Sequence, residues 1–538
     1  MDRRAALVLL VVLGAGVFLA GLELMITAVA LPSIVTDLAG WTELRRASWI
    51  VNGYLLAYVV TMPLAGRLAD AWGERRLFAL GIALFTVGSA LAGRAQSLDE
   101  LIAARVVQAV GGGILVPVAT AAASHLFGGH GRPRALGVIG GLTFLGMAAG
   151  PFVGAAVIGG VYPGPALEAL RIGPGDLRDS LDAPWRFVFY LNVPVGIGAL
   201  AVAWAAADVW DDRRRGGRVD LAGAAAFTVA LASLLLGLSL IGEGDAGATP
   251  AALVLVAATS AVAATWLGLR RADPFLDPRS FARGEFSAAA LVSLLTGYGF
   301  ATAIIGGAVF VDRVLYGGPG VQRLALGALA AATAVGALVS GLALRRVGLR
   351  TTSVVGLALS AGALVGMTSW SPETSVGEAA AWLAAFGLGF GLTVTPRSTA
   401  AVEALGRRAF GVASATVTVA RMIGMAVGLA ILTAYGSTTI DRLSAEIYAT
   451  PDGYKSIVPE HLRDRPLRDG LVVDALEDWA AREATEIMVG LFLAAAGVTA
   501  VAVIPALGLR RPRILDATAA EPGGGDVVDD RTGATVAL

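Results

Sequence analysis

Apolar residues in this chain neither alternate nor fall on a single helical stripe. They run in blocks of about 20 residues between short charged connections, the length an α-helix needs to cross a hydrocarbon core of about 30 Å. The first block, Ala5 to Leu31, is interrupted only by Glu23 and small polar residues. Arg3 and Arg4 precede it, and it is too long for a leader's apolar core and lacks a cleavage site, so it reads as a retained span. Further blocks at 47–65, 77–94, 100–125, 135–160, 186–208, 221–241, 251–269, 286–311, 323–344, 352–370, 377–396, 410–436 and 486–509 bring the predicted spans to fourteen. The fold class is an all-α integral membrane protein.

Composition narrows the function. With 56% hydrophobic and 15% charged residues over 538 positions, and a mean hydropathy of +0.72, most of the chain belongs in lipid, which disfavours a soluble enzyme. A net charge of zero gives no reason to expect a nucleic-acid partner. Zero cysteines exclude disulfides and thiolate metal sites, and three scattered histidines do not make a zinc site. No G-x-x-x-x-G-K-[ST] loop is present, which disfavours ATP as the energy source. No metal or organic cofactor is expected.

Arginines set the orientation, because cytoplasmic loops retain positive charge. Every second connection is basic: Arg67, Arg75 and Arg76; Arg132 and Arg134; Arg213 to Arg215 with Arg218; Arg270, Arg271, Arg279 and Arg283; Arg345, Arg346 and Arg350; Arg407 and Arg408. Arg3, Arg4, Arg510, Arg511 and Arg513 agree, so both termini are predicted on the cytoplasmic side of the plasma (inner) membrane, although Arg45 and Arg46 fall on the other side.

Two short polar elbows mark the halves. Gly66 to Arg76 reads G-R-L-A-D-A-W-G-E-R-R, and Gly341 to Arg350 reads G-L-A-L-R-R-V-G-L-R, with glycine at the first and eighth positions and arginine at the tenth of both. Duplicated halves of this kind build many secondary transporters. If the elbows are equivalent, the organisation is a six-helix bundle over 1–208, a linker with two extra spans over 209–285, and a second six-helix bundle over 286–509. The latter carries an outer insert at 437–485, and 510–538, rich in glycine and acid, reads as a disordered cytoplasmic tail.

Several motifs then fall in order. They are E-L-M-I-T-A-V-A-L-P from Glu23 to Pro32, the Gly66–Arg76 elbow, Arg105 with Gln108 and Gly111, the row Gly146, Gly150, Pro151 and Gly154, and W-R-F-V-F-Y-L-N-V-P at 185–194. Together they resemble the major facilitator superfamily, in its fourteen-span drug:proton antiporter branch, over roughly residues 5–510. The resemblance implies a major facilitator fold of two six-helix bundles plus two linker spans, and export coupled to protons, with no other cofactor. Three departures stand out: Ala109 replaces a motif glycine, Glu74 stands where the family has a basic residue, and the first-span acid is Glu23 instead of aspartate.

An ionisable group in a span must take a proton, face a cavity or find a partner. Counting about 1.5 Å per residue, Glu23 lies about 12 Å below the outer end of its span and Arg105 about 8 Å below the start of its own, so the two can share a depth. Glu23 is the candidate proton carrier, with Arg105 or substrate adjusting it; the alternative is a fixed polar contact between helices. The resemblance assigns Arg105 to proton transfer. Because arginine is effectively never deprotonated, a structural or electrostatic role is equally open. Gln108 lies on the same helix face as Arg105. Arg421, eleven residues into its span, needs an anionic partner, a cavity or a polar substrate group, and Glu23 is a candidate partner.

The resemblance makes Gly66, Asp70, Gly73, Arg75 and Arg76 a cytoplasmic gate; the alternative is a positive-inside loop. It ties Gly146, Gly150, Pro151 and Gly154 to export, whereas residues alone predict a close-packing stripe with a bend at Pro151. The outer loop 161–184 and the insert 437–485 are long enough to fold locally or carry function. The run from Gly470 reads as a helix with Val472, Leu476 and Trp479 along one side, so the last span begins about 22 Å outside the membrane, able to guide a lipophilic cargo.

The sequence around Arg421 together with this insert resembles the mycobacterial branch that exports triacylglycerol and drugs with a periplasmic lipoprotein. That branch carries an acidic residue where this chain has Phe144. The expected function is a proton-coupled, monomeric exporter of lipids or amphipathic drugs, with membrane lipids and an extracytoplasmic lipoprotein as partners. The alternatives are an importer or facilitator on the same fold, or a membrane receptor that binds lipid without transport.

Overall fold

A computed structural model describes residues 3–38, 44–47, 49–127, 131–159, 183–205, 210, 220–241, 247–406, 409–448, 453–466 and 469–509. Every regular element among them is helical. Fourteen helices are long and apolar enough to span a membrane. In chain order they are α1 (Arg3–Leu38), α2 (Trp49–Trp72), α3 (Glu74–Arg94), α4 (Leu98–Leu126), α5 (Arg132–Ile158), α6 (Pro184–Ala205) and α7 (Leu221–Ser239). They continue with α8 (Thr249–Arg270), α9 (Gly284–Val309), α10 (Gly318–Val347), α11 (Leu349–Met367), α12 (Val376–Leu405), α13 (Phe410–Tyr448) and α14 (Gly470–Val501). The loop 161–182, Arg213 to Arg215, Arg218, Arg407, Arg408 and the tail 510–538 lie outside the described residues.

Local chemistry sets the helix ends. Ser97 starts α4, its hydroxyl accepting from Glu100 N at 3.3 Å while Glu100 Oε2 reaches back to Gln96 N at 2.9 Å, close to a capping box. Asp220 starts α7 by accepting from Gly223 N at 2.8 Å, and its ion pair with Arg271 ties that start to the end of α8. Glycine makes the elbows abrupt. A single residue, Gly73 at φ 96°, separates α2 from α3, and Gly348 at φ 86° separates α10 from α11. Both lie in the left-handed region where a side chain is strained.

Helices α1 to α6 pack on one another, as do α9 to α14, and the two groups meet along α5 with α10, α2 with α13, and α4 and α5 with α13 and α12. The pair α7 and α8 packs mainly on itself, with α7 touching α2 and α13. Pro151 does not interrupt α5, nor do Pro63, Pro117 and Pro396 interrupt their helices. In lipid an α-helix is the only open way to satisfy the backbone, and neighbouring helices tolerate the missing donor.

Outside the span, α13 continues to Tyr448, so the first part of the predicted outer loop is helix. The 32 residues of α14 extend about 48 Å, longer than the hydrocarbon core. Tyr454, Val458 and Leu462 from the insert bury Val472, with Leu476 packed against them. Part of the apolar side read as a cargo guide therefore closes a small local core instead.

Candidate functional site

The row of glycines on α5 sets the position of α1. A methyl added at Gly146 would sit 2.2 Å from Phe18 O, and one at Gly150 would sit 2.9 Å from Leu22 O, so only glycine lets the helices approach this closely. Gly154 meets Ile26 one turn further along. These contacts flank Glu23 and face its carboxylate away from α5, into the middle of the first six helices.

There Glu23 is fully buried, and three side chains donate to it. Arg105 Nη1 of α4 and Thr27 Oγ1 (3.0 Å) share Oε1, and Asn192 Nδ2 of α6 donates to Oε2 at 2.6 Å. Arg105 also donates to Gln108 Oε1 at 2.7 Å and to Ile50 O at 3.4 Å, and its guanidinium lies 3.9 Å above the Tyr54 ring. Gln108 and Asn192 each donate to Ser89 Oγ at 3.1 Å, which donates to Phe189 O at 2.8 Å. Five helices thus converge on one carboxylate–guanidinium pair. Such a pair is tolerated in a low-dielectric interior only when its remaining hydrogen-bonding groups are met, as most are here.

Glu23, Arg105 and Gln108, singled out from sequence, are therefore one cluster. Arg421 is not part of it: Glu23 bonds Arg105, and Arg421 Cζ lies 5.5 Å from the Phe144 ring centre, on the interface between the two groups of helices. The candidate pairing of Glu23 with Arg421 is replaced by Glu23 with Arg105, which approaches along α4 at the same depth. Asn192, Ser89 and Tyr54 were missed as site residues. Asn192 lies within the quoted motif at 185–194, where a carboxamide in an otherwise apolar stretch was the available signal.

The elbow forms a second cluster. Asp70 Oδ1 accepts from Gly411 N and Oδ2 from Val412 N, both at 3.0 Å, so a carboxylate on α2 caps the first turn of α13 across the interface. Orphan N–H groups and the helix dipole both favour a negative charge there. Gly66 lies against Gly411, where a methyl would come within 2.4 Å of its carbonyl oxygen. Glu74 bonds His125, whose ring lies tilted against that of Phe410 with centres 4.5 Å apart, and the Arg132 guanidinium lies 5.0 Å from the centre of the same Phe410 ring. Arg75, half-exposed, and Arg76, exposed, occupy the first turn of α3 behind Gly73. At this elbow end α2 touches α13 at Gly66 and Gly411, and α5 touches α10 at Gly137 and Gly341.

The interface holds a third feature that sequence reading missed in part. Arg397, buried to 2% exposure on α12, and Arg421 on α13 line one cavity with residues of α4 and α5. Arg397 donates to Thr296 Oγ1 at 2.6 Å.

With this geometry in place, the likenesses to known proteins have a context. The sequence profile of the Major Facilitator Superfamily matches residues 13–429. The chain is 30% identical over 454 residues to a triacylglyceride transporter of Mycolicibacterium hassiacum, covering 81% of each chain. It is 29% identical over 446 residues to the multidrug transporter MdtP of Bacillus subtilis, covering 81% of this chain and 77% of that one. An inward-facing bacterial homologue of the human lysosomal transporter Spinster superposes with a TM-score of 0.55 at 18% identity over 95% of this chain and 99% of that one, a likeness of fold alone. Fourteen spans, the two glycine elbows and a family match over most of the length lead to one conclusion: this multi-pass membrane protein is a transporter, not an enzyme, and belongs to the Major Facilitator Superfamily.

Proposed function

We propose that the protein is a proton-coupled exporter of lipophilic compounds, working by alternating access in the plasma (inner) membrane with both termini in the cytoplasm. The observation that carries this reading is the Glu23–Arg105 pair, buried inside one group of helices and bonded to Asn192 and Thr27. A proton arriving on Glu23 removes the charge that holds Arg105 and Asn192. The donors on α4 and α6 are then freed to rearrange against α1, a local electrostatic event that biases a two-state bundle. The relatives named for triacylglyceride and multidrug transport support a lipid or amphipathic drug as cargo.

Within this reading, Gly66, Asp70, Gly73, Arg75 and Arg76 form the cytoplasmic gate, closed by Asp70 on α13. The stripe Gly146, Gly150, Pro151 and Gly154 keeps α1 seated while the bundle moves. The functional unit is a monomer, using protons as its only coupling agent, and an extracytoplasmic lipoprotein receives lipid near the projecting α13 and α14.

The test uses proteoliposomes with an imposed pH gradient, following a fluorescent triacylglycerol and a cationic dye separately. Wild type is expected to move at least one against its concentration gradient, and Glu23→Gln to lose that movement while retaining its fold by circular dichroism. Full gradient-driven transport by Glu23→Gln overturns proton carriage by Glu23.

A further inference from the structure

Two arginines at the interface of the helix groups lack what Arg105 has. The cavity lined by Arg397 and Arg421 contains no acidic side chain, and neither arginine makes an ion pair among the described residues. Arg421 Nε is enclosed without a hydrogen-bond partner, and Phe144 and Phe390 lie under the two guanidinium groups at 5.5 Å and 4.9 Å. The hydroxyls around the cavity do not relieve this. Thr120, Thr143, Ser398 and Thr418 each donate back to the carbonyl four residues earlier on their own helix, leaving guanidinium N–H groups as the free donors. Like charges enclosed together without an anion are costly, more so at membrane depth.

We infer that this cavity binds the anionic head group, carboxylate or phosphate, of an amphipathic cargo. Planar guanidinium groups match both oxyanions with paired hydrogen bonds. The cavity measures about 50 Å³, room for one such head group or a few waters but not for an acyl chain. The chain must then lie between α5 and α12, along the surfaces that separate when the bundle opens, and this part of the inference rests on the exporter reading. Phe144 and the aromatic cluster of Phe300, Phe386 and Phe390 beside Arg397 supply the apolar wall for the first carbons of that chain. A cationic group is repelled here.

The experiment is equilibrium binding to the full-length protein in nanodiscs of neutral lipid, with no gradient. The probes are decanoate, decyl phosphate, decanol, acetate and inorganic phosphate. Decanoate and decyl phosphate are expected to bind at least tenfold more tightly than decanol, acetate or inorganic phosphate. Arg397→Gln and Arg421→Gln should each reduce that preference at least fivefold. Phe144→Glu, which offers Arg421 an internal anion, should abolish the preference with the fold intact, separating loss of the site from loss of the protein. Equal binding of decanol and decanoate, or an undiminished preference in the double Gln variant, overturns the inference. Binding of acetate or phosphate as tight as that of the amphiphiles also overturns it, assigning the cavity to a free anion. Gradient-driven transport of either fluorescent cargo, measured in proteoliposomes reconstituted from the same purified protein, judges the exporter reading separately: if a cargo moves and the head-group preference is absent, this inference alone fails.

Discussion

Arg105 and Arg421 are both arginines inside membrane helices, yet they solve the problem of a buried cation in opposite ways. Arg105 sits within one group of helices, bonded to Glu23, Gln108 and a backbone carbonyl and stacked on Tyr54. Arg421 sits on the interface beside a second arginine, with an aromatic ring where a carboxylate is needed. The first charge is compensated from within the protein, by the Glu23 carboxylate. The second is compensated only by something that arrives. The two sites differ in where a fully buried acid is placed: Glu23 stands beside Arg105, whereas no acidic side chain lines the cavity of Arg421.

The largest effect should follow from breaking the compensated site. Glu23→Ala leaves Arg105 enclosed with no anion, which costs about 3–5 kcal/mol in buried pairs of this kind. A marked fall in the thermal unfolding midpoint in detergent is expected, together with loss of gradient-driven transport. Glu23→Ala combined with Arg105→Leu should recover much of the stability but none of the transport. A stable, transport-competent Glu23→Ala would show that the pair is not what distinguishes the two sites.

The converse substitution compensates the open site. Phe144→Glu should leave the midpoint unchanged or raise it, whereas the same change with Arg421→Gln should lower it, with a coupling of about 1–3 kcal/mol between the two positions. Additive effects would mean that Arg421 is already satisfied without cargo.

The sequence made the fold legible and one of the two sites partly so. Fourteen apolar blocks name fourteen spans because in lipid a continuous apolar run of this length satisfies its own backbone only as helix, and that constraint is written in composition. Glu23 and Arg105 were visible for the same reason: a charge in an apolar run has to be explained. Their partners were not, because Asn192, Ser89 and Tyr54 are ordinary residues in a span until tertiary packing turns them inward. Arg397 was hidden by a boundary. The apolar run was ended at 396, at Pro396, whereas α12 continues to Leu405 and carries Arg397 inside it. Pairing was the least legible of all, since the depth count left Glu23 free to meet either Arg105 or Arg421 and only the packing of α1 on α5 decides.

A smaller effect should appear at the elbow, proposed above as the gate to the open site. Asp70→Asn removes the negative charge from the first turn of α13 and weakens two backbone hydrogen bonds, worth about 1–2 kcal/mol of bias toward the closed elbow end. The chain has no cysteine, so one introduced at Thr120, in the arginine cavity, reports on access without background. In right-side-out and inverted vesicles, labelling of Thr120→Cys from the elbow side should rise about fivefold or more in the Asp70→Asn background. A cysteine at Ser89, beside Glu23, should not change, because that cluster lies within one group of helices.

The smallest effect is the one that best separates the two arginines by chemistry. Arg105 uses its planar fork, reaching Glu23 and Gln108 from Nη1 and a backbone carbonyl from Nε, while stacking on Tyr54. Lysine has the charge without the fork or the flat face. Arg105→Lys should therefore lower the unfolding midpoint and slow transport severalfold. Arg421 has no internal hydrogen-bond geometry to preserve, so Arg421→Lys should leave the midpoint unchanged; its fork serves the cargo alone, and replacing paired hydrogen bonds by one should weaken decanoate binding by about threefold to fivefold. Decyl phosphate should suffer more than decanoate, since its extra oxygen is what a second guanidinium N–H holds. If Arg421→Lys is as damaging as Arg105→Lys, then the interface arginine is also built into a fixed internal geometry, and the division between a compensated site and an open one does not hold.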